Sequence, residues 1–429
     1  MPLEHAQEDF TEANIAAITA YLNAGDKACA CRLGFELEHF VVAGEGVSVP
    51  YSGEGGIAQL LHELRGDYKS EMREGAHVLG LARPGTTLTL EPGAQLEIST
   101  GPFCRVKQIE ESYKRFDAEI ETRLRPRGQR LLATGYRPGM KVDDVELIPK
   151  DRYRFMDAHF QTTGACGRQM MRGSASTQVS IDYADEADAL LKMRLATMLG
   201  PLLALATDNV ASYEGATTPP RMTRTLIWDD VDPARCMTVA GLFDPNFSFA
   251  RYARTLYNAP LVVHPLSGGG YEDCDGRSAA ELYARQLITH AEIEHLLSMF
   301  FFDVRLKNYV EIRMADSLPI ELALAYTALI KGLFYSDEAL AQLSAGLLVS
   351  GVSAEDVAQA KATLRAEGYD ACVYGRPATK WLDELLLLAH KGLPDYEKHY
   401  LRPLAALIAG RSTLYDGARG RWDQGSLPS

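Results

Sequence analysis

Arg32-Leu33-Gly34-Phe35-Glu36-Leu37-Glu38 decides the fold, because its charged and apolar residues alternate with a period of two. In an extended strand that period sends Glu36 and Glu38 to one face and Leu37 to the other. Working outward, the same pattern recurs in Gln95-Leu96-Glu97-Ile98-Ser99, in Ser176-Thr177-Gln178-Val179-Ser180-Ile181-Asp182 and in Tyr309-Val310-Glu311-Ile312-Arg313. Each stretch alone also reads as an ordinary strand with one wet face. Together, with Glu, Gln and one Arg at the strand centres and no Lys, they read as one antiparallel sheet with a carboxylate-rich face. Parallel strands buried on both sides would show continuous Val, Ile and Leu runs, and these do not. Crowded carboxylates repel one another unless a cation neutralises them, and oxygen ligands suit Mg²⁺ held together with a phosphate-bearing substrate. The expectation is an ATP site.

Composition bounds the partners. The 429 residues hold 44 Lys and Arg against 57 Asp and Glu, a formal net charge of -13, which argues against nucleic acid or an anionic membrane as the main partner. Met1-Pro2-Leu3-Glu4-His5 lacks the basic start of a signal peptide, and the longest nearly apolar run, Leu195 to Ala206, is short for a bilayer span and contains Pro201. A cytoplasmic protein, monomeric or homodimeric, acting on small molecules is expected. Seven scattered cysteines, with only Cys29 and Cys31 close together, indicate neither a disulfide framework nor a thiolate zinc site.

No linker divides the chain, so it reads as one large α+β domain over 1–429. A sheet-containing core covers about 1–318 and a helical C-terminal part about 319–412. Helices are expected over 9–24, 55–66, 105–126 (stopped by Pro126 and Gly128), 151–162, 186–209 and 278–300. In Glu91-Pro92-Gly93-Ala94-Gln95-Leu96-Glu97 a Pro-Gly turn separates two acids, so Glu91 can approach the Glu97 side of the sheet from another direction. No Walker-type phosphate loop and no nucleophile elbow occurs. Gly268-Gly269-Gly270 reads as a loop or lid, and His290 and His295, five apart, are turned away from each other on a helix and make no zinc pair. Arg224 and Arg235 flank Trp228 within one short segment, and Arg313 shares the Glu311 face. Arg suits two-pronged capture of carboxylate or phosphate.

Gly34 to Glu38, Glu91 to Glu97, Arg152-Tyr153-Arg154-Phe155-Met156-Asp157, Met170-Met171 with Ser176 to Asp182, Arg224 to Trp228, and Tyr309 to Asp316 occur in this order. Together they resemble the plant-type family of glutamate–cysteine ligases, which includes bacterial members, over about residues 30 to 320. The resemblance implies a glutamine-synthetase-like fold, a curved antiparallel sheet forming an active-site funnel backed by helices. It also implies the reaction of ATP, L-glutamate and L-cysteine to γ-glutamylcysteine, the first step of glutathione synthesis. Glu36, Glu38, Glu91, Glu97 and Glu311 become expected ligands of Mg²⁺, for which Mn²⁺ can substitute, and Gln178 a nucleotide or metal contact. Arg224, Arg235 and Trp228 become expected substrate or ATP contacts, and Arg313 with Glu311 the expected catalytic pair. Two positions depart from the family pattern: Met314 stands where Gly is common, and Arg172 where a less polar residue is expected. An ATP-dependent ligase with another amine acceptor, or a non-catalytic ATP-binding protein, are the competing readings.

Overall fold

The computed structural model describes residues 9–27, 31–217, 219–266 and 268–418; Met1 to His5 and Cys29, read above, lie outside them. Ten strands form one sheet, every pairing antiparallel: β1 (Leu33–Ala43), β2 (Val47–Ser48), β3 (Ser70–Glu74), β4 (His77–Arg83), β5 (Thr86–Leu90), β6 (Leu96–Phe103), β7 (Gln129–Leu132), β8 (Ser176–Ile181), β9 (Val304–Leu306) and β10 (Val310–Asp316). The order across it is β9-β10-β8-β1-β6-β5-β4-β3, with β2 and β7 pairing with the far end of β1. The four quoted stretches thus become adjacent strands β10, β8, β1 and β6. Register aligns their polar faces: Glu38 lies opposite Glu97, Glu36 opposite Ser99 on one side and Gln178 on the other, and Glu311 opposite Ser180.

The other face is apolar for the same reason of period. Leu33, Phe35 and Leu37, Leu96 and Ile98, Val179 and Ile181, and Val310 and Ile312 are all buried in one core. Of the helices in the first three-quarters of the chain, α2 (Ile57–Leu64), α3 (Val106–Leu124) and α5 (Glu186–Ala206) pack on this sheet, and α1 (Thr11–Asn23), α4 (Asp151–Thr163) and α6 (Thr223–Trp228) lie around it. In α3 the buried Val106, Ile109, Tyr113, Phe116, Ile120 and Leu124 recur at helical spacing, and Gly128 follows with φ +64°. The α5 helix starts on Asp185, whose carboxylate accepts the Asp188 N–H. It is long and apolar enough to cross a membrane, but 89 % of that apolar window is buried inside the protein, where it packs beside β9 and β10. After β10 come α7 (Ile320–Phe334), α8 (Ala354–Glu367), α9 (Ala378–Gly392) and α10 (Arg402–Ala409), with a two-residue strand pair at Cys372–Val373 and Arg376–Pro377 between α8 and α9.

The expected helix over 278–300 is two short ones, Ala279–Leu282 and His290–Leu297. Two capping boxes explain the break, since Ser278 with Glu281 and Thr289 with Glu292 each begin a new helix. His295 Nε2 meets the Val263 carbonyl at 2.9 Å and stacks on Tyr271, while His290 faces Glu294. The glycine triplet turns between Val263–Pro265 and Tyr271–Asp273, with Gly269 and Gly270 at φ +90° and +83°.

Candidate active site

The polar face of the sheet floors two neighbouring cavities that share Glu36. The deeper, of about 250 Å³, is lined by Glu36, Glu38, Glu91, Glu97, Gln178, Glu311 and Arg313 from the sheet side. Its other walls come from Arg152, Tyr153 and Met156 on α4, Met170 and Met171, and Arg224 and Trp228 on α6, with Phe301, Arg305 and Lys307. The wider cavity, of about 440 Å³, continues along the same strands over Gly34, Thr87, Ser99, Gly101 and Ser180, and reaches Lys27, Arg32 and Asp182.

Local sequence explains how the acids converge. Ala94 N–H donates to the Glu91 carbonyl at 2.9 Å, and Gln95 Oε1 accepts the Gly93 N–H at 2.8 Å, closing the Pro-Gly turn that brings Glu91 beside Glu97. Any side chain at Gly93 would collide with the Arg172 backbone and the Arg137 guanidinium, each 2.7 Å from the position of a Cβ. Arg172 grips Asp157 through both carboxylate oxygens, at 3.1 and 2.7 Å, and also donates to the Val145 carbonyl. This departure from the family pattern therefore ties the Met170-Met171 segment to α4 under the cavity. Met314, the other departure, lies beside Gly200 of α5 and accepts the Tyr326 hydroxyl on its sulfur at 3.6 Å.

The acids divide by their neighbours. Burial and the carboxylates of Glu97 and Glu311 push Glu36 up to about 8. Burial together with Glu91 and Glu38 does the same to Glu97, also to about 8, against the Thr89 and Ser99 hydroxyls that donate to it at 2.6 and 3.1 Å. Glu91 rises to about 7 through burial and Glu38. Glu38 rises too, by burial, although Ser176 N–H and hydroxyl bind it at 2.9 and 2.6 Å. Three crowded acids held protonated toward neutral pH mark a place short of positive charge.

Glu311, expected as a metal ligand, is the opposite case electrostatically. Its Oε2 accepts from Arg305 Nε at 2.6 Å and Arg313 Nη1 at 2.9 Å, and its Oε1 lies 3.2 Å from Lys307 Nζ. Burial alone would raise this acid; Arg305, Lys307 and Arg313 overcome it and hold it well below the usual carboxylate range. With both oxygens occupied, Glu311 serves to rank three cations along the cavity. Arg313 also reaches the Gln178 amide oxygen. A bulge sets Arg313 and Met314 together opposite Gln178 alone. The Arg313 carbonyl accepts from Arg224 Nη1 at 3.0 Å, which fixes α6 to the sheet.

Arg235, expected in the site, is not in it. It is 1 % exposed, and its guanidinium binds Asp232 at 2.5 Å and the Pro260 carbonyl at 2.9 Å, a local pair at three-residue spacing that sequence alone cannot tell from a substrate arginine. Arg152, Arg305 and Lys307 were missed as site residues. The last two were legible, because Arg305 and Lys307 alternate around Leu306 as the acids do in the other strands. Several buried donors among the described residues lack a hydrogen-bond partner, Arg235 Nη1 included, and three of them, Arg152 Nε, Arg224 Nε and Trp228 Nε1, belong to residues that line the deep cavity. Unpartnered buried donors are costly unless a ligand completes them.

No three acids, histidines or cysteines among the described residues stand close enough to form a closed metal cage as they are. The donor set nevertheless fits a hard cation: all oxygen, crowded, and short of positive charge on Glu36, Glu91 and Glu97.

A family profile described as glutamate–cysteine ligase family 2 matches residues 32–404. The chloroplastic glutamate–cysteine ligase of Brassica juncea is 29% identical over 292 residues, 66% of this chain and 57% of that protein. That of Nicotiana tabacum is 29% identical over 333 residues, 75% and 63% of the two chains. The chain thus spans little more than half the length of these relatives. A crystal structure of the Francisella tularensis glutamate–cysteine ligase in complex with AMP superposes with a TM-score of 0.51 at 13% identity, covering 91% of this chain and 84% of that one. That likeness is one of fold, and it agrees with the glutamine-synthetase-like sheet expected from the sequence.

Proposed function

This chain belongs to glutamate–cysteine ligase family 2, and from that premise we propose that it joins the γ-carboxylate of L-glutamate to the amine of L-cysteine at the expense of ATP. The observation that carries the reading is the deep cavity, where charge-starved acids face three cations ranked on Glu311. A carboxylate cannot expel oxide, so it must first be activated. The glutamate γ-carboxylate attacks the γ-phosphorus of ATP, ADP leaves, and the resulting acyl phosphate is then attacked by the amine with loss of phosphate. Arg313 lies where it can stabilise charge on the transferring phosphoryl group, and Arg305 and Lys307 reinforce it. Glu36, Glu38, Glu91 and Glu97 would hold Mg²⁺, with Mn²⁺ an acceptable substitute, supplying positive charge to the phosphate oxygens.

The two cavities suit the two ends of the nucleotide. Gly34, Ser99, Gly101 and Ser180 leave a floor of small residues in the wider one, where a flat base and its ribose fit, and the triphosphate would then run past Glu36 into the acids. The unpartnered donors of Arg152, Arg224 and Trp228 supply a carboxylate site for glutamate at the far end. Met156, Met170, Met171 and Phe301 give that end a soft apolar wall suited to a thiol-bearing acceptor.

Mass spectrometry of the product made from ATP, Mg²⁺, glutamate and an equimolar amino-acid mixture tests this reading. γ-Glutamylcysteine is expected as the dominant product. A different glutamyl amide would redirect the acceptor, and no phosphate release with any amine would overturn the ligase reading.

A further inference from the structure

Helix α8, in the C-terminal part of the chain, touches neither cavity, yet one of its residues bridges two of the cavity's walls. Lys361 is 7 % exposed, and its Nζ lies 2.7 Å from Asp229 Oδ1 and 2.7 Å from Asp303 Oδ2. One turn on, Arg365 approaches the second oxygen of Asp229 at 3.6 Å. The two acids sit on segments far apart in sequence. Asp229 follows Trp228 at the end of α6, the helix that also carries Arg224. Asp303 separates Phe301 from Arg305, and its carbonyl accepts the Arg313 N–H at 3.0 Å. The rings of Trp228 and Phe301, both on the cavity wall, are 5.9 Å apart.

Two largely buried carboxylates so close to one nitrogen would repel each other without it. Burial alone would favour the neutral amine of Lys361, but Asp303 and Asp229 outweigh it and keep the ammonium charged. We propose that Lys361 is a positioning residue for the substrate end of the active site, pinning the α6 wall to the Phe301–Arg305 wall and so setting the distance between Arg224, Trp228 and Arg313. The C-terminal helices thereby act on glutamate and not on the nucleotide, whose base and ribose lie along the sheet on the other side of Glu36. This inference rests on the assignment of the deep cavity to glutamate made above.

The test compares the full-length parent with Lys361→Met, Lys361→Arg and the charge-balanced Lys361→Met/Asp303→Asn variant, measuring KM for glutamate and for ATP separately. Lys361→Met should raise KM for glutamate tenfold or more while KM for ATP stays within about twofold, and Lys361→Arg should recover most of the loss. Should Lys361→Met not fold, the charge-balanced variant carries the test, because it lacks the pin but also lacks the repulsion, and the same split is expected of it. Equal movement of both KM values, or movement of neither, in whichever variant folds would overturn the proposal. The parent, run alongside, separates the two questions: a parent that forms no glutamyl product refutes the cavity assignment, whereas an active parent with an unsplit variant refutes the pin alone.

Discussion

Asp182 and Glu97 face the same trough from the same side of one sheet, and they are treated in opposite ways. Asp182 receives Lys27 at 3.2 Å, Arg32 Nε at 3.0 Å and the Arg32 N–H at 3.2 Å. Glu97 meets only two hydroxyls and lies opposite another acid, Glu38, across the strand pair. The wide end, around Asp182, is finished: its charge is balanced and its floor is small and neutral. The deep end, around Glu97, is unfinished, with charge that only a ligand can balance. A balanced acid is architecture, and an unbalanced one marks where chemistry needs a cation.

The largest expected effect breaks this contrast at the deep end. Glu97→Gln removes a charge meant for a metal–phosphate complex, and kcat should fall on the order of a thousandfold, about 4 kcal/mol, with the circular dichroism spectrum unchanged. Ser180→Ala, at the wide end on the same face, should stay within about threefold of the parent. Comparable losses in the two variants would erase the distinction between the ends.

A smaller effect should separate the substrates. A Cβ at Gly34 would stand 3.1 Å from the Ser180 Cβ, so a branched side chain there fills the floor under the base. Gly34→Val should raise KM for ATP on the order of tenfold, about 1.4 kcal/mol, and leave KM for glutamate nearly unchanged. Arg224→Lys, which keeps charge but loses the planar fork, should do the reverse. Matching shifts in both constants for either variant would count against a nucleotide end and an amino-acid end.

The smallest effect is a dependence of stability on pH. Glu36 and Glu97 at about 8 and Glu91 at about 7 all lie above the ordinary 4.5, so the folded protein binds protons that the unfolded chain releases. Their contribution is complete below about pH 4.5 and is lost as pH rises through 7 to 8. Metal-free protein should therefore lose Tm across that window, and Mg²⁺ should restore it more at pH 8 than at pH 6, releasing on the order of one proton per molecule near pH 7. A Tm indifferent to Mg²⁺ at both pH values would remove the cation from the deep end.

What the sequence made legible follows from range. Period-two alternation is local, so the faces of β1, β6, β8 and β10 could be read directly, and the Pro-Gly turn announced that Glu91 would join Glu97. Roles fixed by distant partners could not. Arg305 and Lys307 alternate legibly six and four residues before Glu311, but only the antiparallel return between β9 and β10 turns them onto its oxygens. Arg235 was misplaced for the converse reason, its partner Asp232 being so near in sequence that the pair carries no signal of distance. The helix expected over 278–300 breaks because Thr289, inside that range, forms a capping box with Glu292 and starts a new helix.

The bulge that sets Arg313 and Met314 against Gln178 also bears on how the gene can vary. Upstream of it Glu311 and Ile312 keep the ordinary pairing, and downstream Ala315 and Asp316 resume it with one residue gained. A deletion at Met314 would let the ladder close without interruption, and the strand would still form. Asp316 accepts the Asn209 N–H at 2.7 Å, and Ser317 donates its hydroxyl to the Glu38 carbonyl at 2.6 Å, so the downstream end is anchored, and Arg313 alone would then oppose Gln178 with the flanking pairs unchanged. Glu311 and Arg313 would keep the trough and Ile312 the apolar side, and what would be lost is the local bend and twist that the bulge adds. A one-residue loss at the bulge is thus one that the ladder can absorb with its polar face kept.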